Sequence, residues 1–308
     1  MIIDVHYHLM RRVTEAGVAG TARHAIRAAQ QMGKQVDPEA VLQKALKTWG
    51  DPDGDRMIEA MDESGVDLTL ICTVDNSANP ILTVDRMQQG NKALSEVAKR
   101  HEGRVMALAG VDPRRPEAPD MMKQCMEEFG MRGLKYHPDN GYDPSSPESY
   151  KVLEELEKNN GILLTHTGPL DPPSRPKFAD PRLLSDLGVD FPSLKIIAAH
   201  MGAVDWRPWA ALAAFQPNLH GDLAMWDTLA IGNYPLFCRE LRNILDLVGP
   251  TKVLFGTDSP IFNTVSPTRD YIQAIKDLPE KAPDGIVFTE EEVNNILGCN
   301  AAVMLGLE

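Results

Sequence analysis

The stretch Asp4-Val5-His6-Tyr7-His8 offers a carboxyl and two imidazoles at alternate positions. It ends the apolar run Met1-Ile2-Ile3, a pattern that suits a buried strand. Side chains alternate faces along a strand, so Asp4, His6 and His8 share one face while Val5 and Tyr7 take the other. A rise of roughly 3.3 Å per residue sets His6 and His8 about 6.5 Å apart at the backbone. Two imidazoles at that separation can converge on one metal ion, and imidazole suits zinc, iron and nickel. Two unrelated polar residues on an exposed edge strand give the same pattern, and a short motif alone does not decide. Asp4 also has two readings: an acceptor that orients a ligand imidazole, and a strand-end cap.

Further polar clusters end later apolar runs. They are Lys135-Tyr136-His137-Pro138, Thr165-His166-Thr167-Gly168, Ala199-His200-Met201-Gly202 and Gly256-Thr257-Asp258-Ser259-Pro260. His220 lies near a weaker run and is left out of the set. A lone strand-end histidine is most often a hydrogen-bonded structural residue. Five of them, His6, His8, His137, His166 and His200, with Lys135 and Asp258, read instead as a metal cage.

These clusters need a scaffold that brings strand ends to one rim. Apolar runs at 2–8, 67–74, 105–111, 132–137, 161–166, 194–200, 218–225 and 252–258 read as eight strands. Helical patterns fall between them, at 56–65, 83–100, 118–129, 149–159, 180–187, 206–215 and 236–248, with 267–278 and 289–305 closing the chain. Near-continuous apolar strands alternating with helices predict a parallel sheet, and eight such units predict a (β/α)8 TIM barrel, one domain over residues 1–308. A doubly wound open sheet is the competing architecture, but it carries a glycine-rich phosphate loop where this chain has His-Tyr-His. Residues 9–55 are a helical insertion after the first strand, with helices at 14–32 and 38–49 and Asp37 capping the second ahead of Pro38. It leaves the carboxyl end of a barrel strand, so it is read as a possible lid.

Composition narrows the function classes. A net charge of −13 over 308 residues argues against nucleic acid and anionic membrane surfaces. No run of 18 apolar residues and no signal peptide is found. Cys72, Cys125, Cys238 and Cys299 are scattered, which fits reduced thiols in a cytoplasm and makes a cysteine zinc site a poor fit. A cytoplasmic, soluble, single-domain protein is expected, and since many barrels of this type pair through outer helices, a homo-oligomer is expected too.

The series HxH, Lys-x-His-Pro, Thr-His-Thr-Gly, Ala-His-Met-Gly and Gly-Thr-Asp, in that order, resembles the amidohydrolase superfamily. More narrowly, it resembles the amidohydrolase-related branch that includes aminocarboxymuconate semialdehyde decarboxylase. The likeness runs through nearly the whole chain, to Ile296-Leu297-Gly298-Cys299-Asn300-Ala301-Ala302. It implies that His6, His8, His166 and Asp258 hold one divalent metal, zinc being expected, and that His200 stays off the metal and assists catalysis. Such a set leaves room for a water whose pKa the metal lowers. Some binuclear members carry a carbamylated lysine at the end of the fourth strand; Lys135 would then bridge two metals and His200 would bind the second. Otherwise Lys135 is a cation for a substrate carboxylate, or part of a structural salt bridge.

The resemblance implies first a hydrolase, water attacking a C–N or C–O carbonyl with Asp258 as general base. The alternative is non-oxidative decarboxylation, or hydration, of an unsaturated or aromatic carboxylic acid, with Asp258 or the water protonating carbon. Lys135, His137, Arg175 and Arg207 are candidate contacts for such an acid, and Trp226 could stack on its plane. An inactive scaffold barrel is the non-enzymatic alternative, and metal analysis separates it from the others.

Overall fold

The computed structural model describes residues 1–307. The strands are β1 (Ile3–His8), β2 (Leu68–Cys72), β3 (Val105–Gly110), β4 (Gly133–Tyr136), β5 (Ile162–His166), β6 (Lys195–Ala199), β7 (Leu219–Asp222) and β8 (Val253–Leu254). They form one eight-stranded sheet in chain order, with helices in the connections: a (β/α)8 barrel, as the alternation predicted. Among the described residues, no helix is long and apolar enough to cross a membrane. The chain makes two compact units, one of Leu70–Asp222 and the other of Met1–Thr69 with the segment from Leu223 onward.

In the unit Leu70–Asp222, β3 to β7 pair in parallel. The register sets Lys135 beside Leu164, Tyr136 beside Thr165 and His166 beside Ala199, so polar strand ends follow apolar middles. Gly133 has a packing reason: a Cβ there would lie 2.2 Å from the Ile162 carbonyl oxygen. The helix expected at 180–187 is instead a 3-10 turn, Pro181–Leu184, and a one-turn helix, Leu187–Asp190. Asp180 caps the first by accepting from the Arg182 N–H, and Pro192 follows directly after the C-cap of the second and stops it.

In the other unit, β1 and β8 are neighbours. Val5 donates its N–H to the Phe255 carbonyl (3.0 Å), and Tyr7 bridges Ser259 in parallel. The strand predicted at 252–258 is regular only at Val253–Leu254; beyond it single bonds to β1 continue, and Asp258 takes φ +54°. A helix not predicted, Asp227–Gly232, follows Trp226. The closing helical stretch is interrupted by a π-helical segment, Asn295–Cys299; within it a Cβ on Gly298 would come within 2.2 Å of the Met1 carbonyl oxygen.

The insertion forms helices Glu15–Gln31 and Pro38–Thr48, capped by Thr14 and Asp37. Val18, Ala22, Ala45 and Trp49 make a small core between them, with Ile261 packed against it. Trp49 Nε1 donates to Thr264 Oγ1, Lys44 Nζ to the Thr264 carbonyl and Lys34 Nζ to the Val265 carbonyl, each at 2.8 Å. The insertion is thereby tied to the loop that follows Asp258.

Candidate metal and catalytic site

Asp4 sets up the first group of site residues. Its Oδ1 accepts the backbone N–H of His6 and of Thr257, each at 3.0 Å, and its Oδ2 accepts the Thr257 hydroxyl at 2.6 Å. These bonds fasten β1 to the turn beyond β8, which is closest to the strand-end role. The Asp258 N–H donates to the His6 carbonyl (2.8 Å) and the His8 N–H to the Ser259 carbonyl (2.7 Å). Left-handed backbone is costly for aspartate, and these bonds hold Asp258 in it.

The result is a convergence of Lewis bases. His6 Nε2 and His8 Nε2 are 3.1 Å apart; Asp258 Oδ1 is 3.1 Å from His8 Nε2 and 3.5 Å from His6 Nε2. Bonds of about 2.1 Å to a shared ion put ligand atoms about 3.0 to 3.4 Å apart in octahedral or tetrahedral arrangement. Two of the three separations fall in that range, and the third, 3.5 Å between His6 Nε2 and Asp258 Oδ1, lies just beyond it. Lone pairs this close repel unless a cation or proton lies among them.

The second group belongs to the unit Leu70–Asp222. His166, at the end of β5, sits with Nε2 3.1 Å from the Gly168 carbonyl, so its Nε2–H donates and Nδ1 keeps the lone pair. Burial first, then the neighbouring His137, His200 and Lys135 side chains, hold its pKa well below the usual imidazole range, against a smaller opposing effect of Asp139. His166 is therefore a neutral imidazole, the form that ligates. The His137 ring stacks on it (centroids 4.5 Å, planes 7° apart), and the His200 ring meets it edge-on at 5.0 Å.

His200 follows β6 and takes φ +66°, with Met201 at +55° and Ala203 at +58°. Its N–H donates to Asp222 Oδ1 at 2.8 Å, and the Gly202 N–H to Thr167 Oγ1 at 2.8 Å. Gly168 (φ +97°) leaves no room for a Cβ, which would lie 3.0 Å from the Gly202 carbonyl carbon. His137 Nδ1 is hydrogen-bonded to Asp139 Oδ1. Burial alone would raise the Asp139 pKa, but the hydrogen bond from His137 first, then the nearness of the His137 and His166 imidazoles, outweigh it and hold the carboxyl far below its usual range. Lys135 is buried on β4.

The remaining predicted contacts lie differently. Arg175 is exposed, its N–H bonded to the Asp139 carbonyl at 2.8 Å. Arg207 is exposed and rests on the Trp206 ring, 4.5 Å from its centroid. Trp226 is buried. Sequence reading missed Asp139 and Asp222, although each stands two residues beyond a histidine at a strand end. It also missed the bidentate pairs Asp112–Arg114 and Asp75–Arg115, whose signal was the Asp112-Pro113-Arg114-Arg115 run after β3. From that pair Arg114 reaches the Asn140 carbonyl at 3.2 Å and steadies the loop after β4.

The carboxyl ends of the strands, with their polar residues, are where (β/α)8 barrel enzymes carry their active sites. A sequence model of the amidohydrolase family matches residues 3–307, and the chain belongs to that family. It is 24% identical over 298 residues to a 2-amino-3-carboxymuconate-6-semialdehyde decarboxylase of Dictyostelium discoideum, covering 83% of this chain and 77% of that protein. Among solved structures, a TIM-barrel protein of Bordetella bronchiseptica superposes with a TM-score of 0.72 at 19% identity, covering 99% of this chain and 98% of that one. A 5-carboxyvanillate decarboxylase of Novosphingobium aromaticivorans, complexed with manganese and 4-hydroxy-3-methoxy-5-nitrobenzoic acid, gives 0.67 at 15% identity, covering 100% and 96%.

Proposed function

We propose that the protein is a metal-dependent, non-oxidative decarboxylase of a small aromatic or unsaturated carboxylic acid. The observation that carries this reading is the convergence of His6 Nε2, His8 Nε2 and Asp258 Oδ1 within 3.5 Å of one another. His166 is assigned to the same ion on its motif and its chemistry, a neutral imidazole with Nδ1 left over. Manganese is favoured by the Novosphingobium relative and zinc by the residue types. When bound, the ion supplies Lewis acidity that steadies negative charge on a substrate oxygen.

The chain's own residues do the rest. Asp258 delivers a proton to the carbon that bears the carboxylate. The bond from that carbon to the carboxylate then breaks, and its electron pair restores the π system as CO₂ leaves. His200, held through its backbone by Asp222, is the second proton-handling group of the rim. Lys135, buried at the end of β4, is read as a contact for the substrate carboxylate rather than a carbamylated bridge between two metals. Arg175 and Arg207 are outer cations on the approach, and His137 contacts the substrate.

Hydrolysis, with Asp258 as general base, uses the same residues; the decarboxylase relatives in sequence and structure favour loss of CO₂ over it. The test is a panel of hydroxybenzoates, unsaturated dicarboxylic acids, lactones and amides with manganese- or zinc-loaded protein, following CO₂ and acid release separately. CO₂ from at least one acid, abolished by Asp258→Asn, is expected. Acid release from a lactone or amide with no CO₂ from any member returns the hydrolase reading. Failure to take up either metal returns the scaffold reading.

A further inference from the structure

We propose that Asp139 is a positioning residue that fixes the His137 imidazole with its hydrogen on Nδ1, so that His137 Nε2 accepts a hydrogen bond from a hydroxyl or amino group of the substrate. The inference rests on the reading that the substrate is a small aromatic or unsaturated acid, and it narrows that class to acids bearing such a donor.

The chain leaves β4 at His137, and the 3-10 turn Pro138–Asn140 folds Asp139 back towards the ring. A carboxylate only accepts, so the Nδ1 atom bonded to Asp139 Oδ1 must carry the hydrogen. In the neutral imidazole the lone pair then sits on Nε2. Asp139 is itself buried, and its carbonyl takes the Arg175 N–H at 2.8 Å.

The ring cannot swing away. The His137 N–H donates to Tyr142 Oη at 2.7 Å, and one ring face lies flat on His166. The remaining atom, Nε2, meets no hydrogen-bond partner among the described residues, and 18% of the side chain stays accessible. An imidazole that only braced His166 would need the stacked face and nothing more. Here its tautomer is also set by a buried acid, and one nitrogen is left to face outward at the carboxyl end of a barrel strand, where substrates of such barrels bind. Setting a tautomer by a buried carboxylate is the service an aspartate gives the histidine of a serine-protease triad.

The experiment uses full-length, metal-loaded protein and two kinds of probe, benzoate and the three hydroxybenzoates, with affinities read by calorimetry. The protein is expected to bind at least one hydroxybenzoate about tenfold more tightly than benzoate, the scale of one buried hydrogen bond. His137→Gln, whose amide reaches the Nε2 position, should keep part of that preference, whereas His137→Asn, whose amide sits at the Nδ1 position, should lose it. Asp139→Asn can donate to Nδ1 and move the hydrogen to Nε2, so it should weaken the preference as well. Metal content should stay unchanged in all three. Equal binding of all probes by the unmutated protein overturns the proposal, as does a full preference in both His137→Asn and Asp139→Asn. Metal loss in the His137 variants reduces His137 to a brace for His166 and also overturns it. Should a variant fail to fold, ¹⁵N-histidine spectra of the unmutated zinc-loaded protein decide, since hydrogen on Nε2 of His137 refutes the assignment. A protein that takes up no metal or yields no CO₂ from any acid refutes the decarboxylase reading instead, which these binding and spectral measurements do not touch.

Discussion

Replacing Asp4 by alanine removes one side chain that holds two strands in register beneath the proposed metal site. Asp4 accepts three hydrogen bonds, from the His6 N–H, the Thr257 N–H and the Thr257 hydroxyl. Bonds to a charged acceptor contribute about 1.5 to 3 kcal/mol each, and a donor left buried without a partner costs about as much. The lower end of that range, about 4.5 kcal/mol in all before the offset, falls to about 4 kcal/mol, because the variant also loses a buried charge that was expensive to desolvate. Unfolding entropy for 308 residues is about 0.65 kcal/mol/K, so the melting temperature should fall by about 6 °C. Asp4→Asn keeps a carbonyl oxygen but turns its NH₂ towards one donor, and should fall in between. Loosening of His6 and Asp258 should also weaken metal binding by about 10- to 100-fold, as loss of outer supports does at metal sites. Scanning calorimetry on metal-stripped protein and titration with manganese or zinc measure the two effects. An alanine variant that melts within 1 °C of the parent and binds metal equally well refutes this account of Asp4.

Asp227 is buried, and burial first, then the Asp258 charge, push its pKa up to about 6, against the opposing hydrogen bonds from Ser266 and the Thr228 backbone. The folded state thus holds this proton more tightly than the unfolded chain, so stability is full below about pH 4 and falls as pH rises to 6. The loss is about 3 kcal/mol, and Asp227→Asn should remove that slope in denaturant titrations of metal-free protein. A slope unchanged by the substitution contradicts the assignment. Trp49→Ala should cost about 3 to 5 kcal/mol and speed proteolysis within residues 9–55, because Trp49 is buried and bonded to Thr264; unchanged cleavage means the insertion is held by other contacts. Asp222→Ala frees the His200 N–H and its left-handed turn, and should lower kcat by about 100-fold with metal content unchanged. A loss of metal in that variant would assign His200 to the metal instead.

What could be read from the chain was whatever repeats locally. The two-residue period of Asp4, His6 and His8 placed three polar groups on one face of a strand, and the alternation of apolar runs with helical patterns gave the barrel. Cap chemistry gave the insertion, with Asp37 before Pro38 marking a helix start that the structure keeps. What could not be read were features set by distant contacts. The partner of Asp4 lies 253 residues away, and regular pairing stops at Leu254 with Asp258 in left-handed backbone, so the predicted eighth strand ran too long. The helix Asp227–Gly232 was missed because its N-cap, Trp226, supplies no side-chain capping bond. Asp139 and Asp222 were close in sequence to histidines, but their roles depend on which atom they face.

That distinction suggests how one set of imidazoles divides its work. His166 gives its Nε2–H to a neutral backbone carbonyl and lies in surroundings that keep it unprotonated, which suits a ligand. His137 gives its Nδ1–H to an ionised carboxylate, which fixes the tautomer and leaves the other nitrogen for an external group. His200 is held through its backbone, so the aspartate beside it sets the turn in which the ring stands. Type alone would treat the three as equivalent, and spacing alone would rank His137 and His166 alike. In the proposed site the partner of each hydrogen is what would separate a metal ligand from a substrate contact, and it is why exchanging the acids, rather than the histidines, is the sharper way to probe this rim.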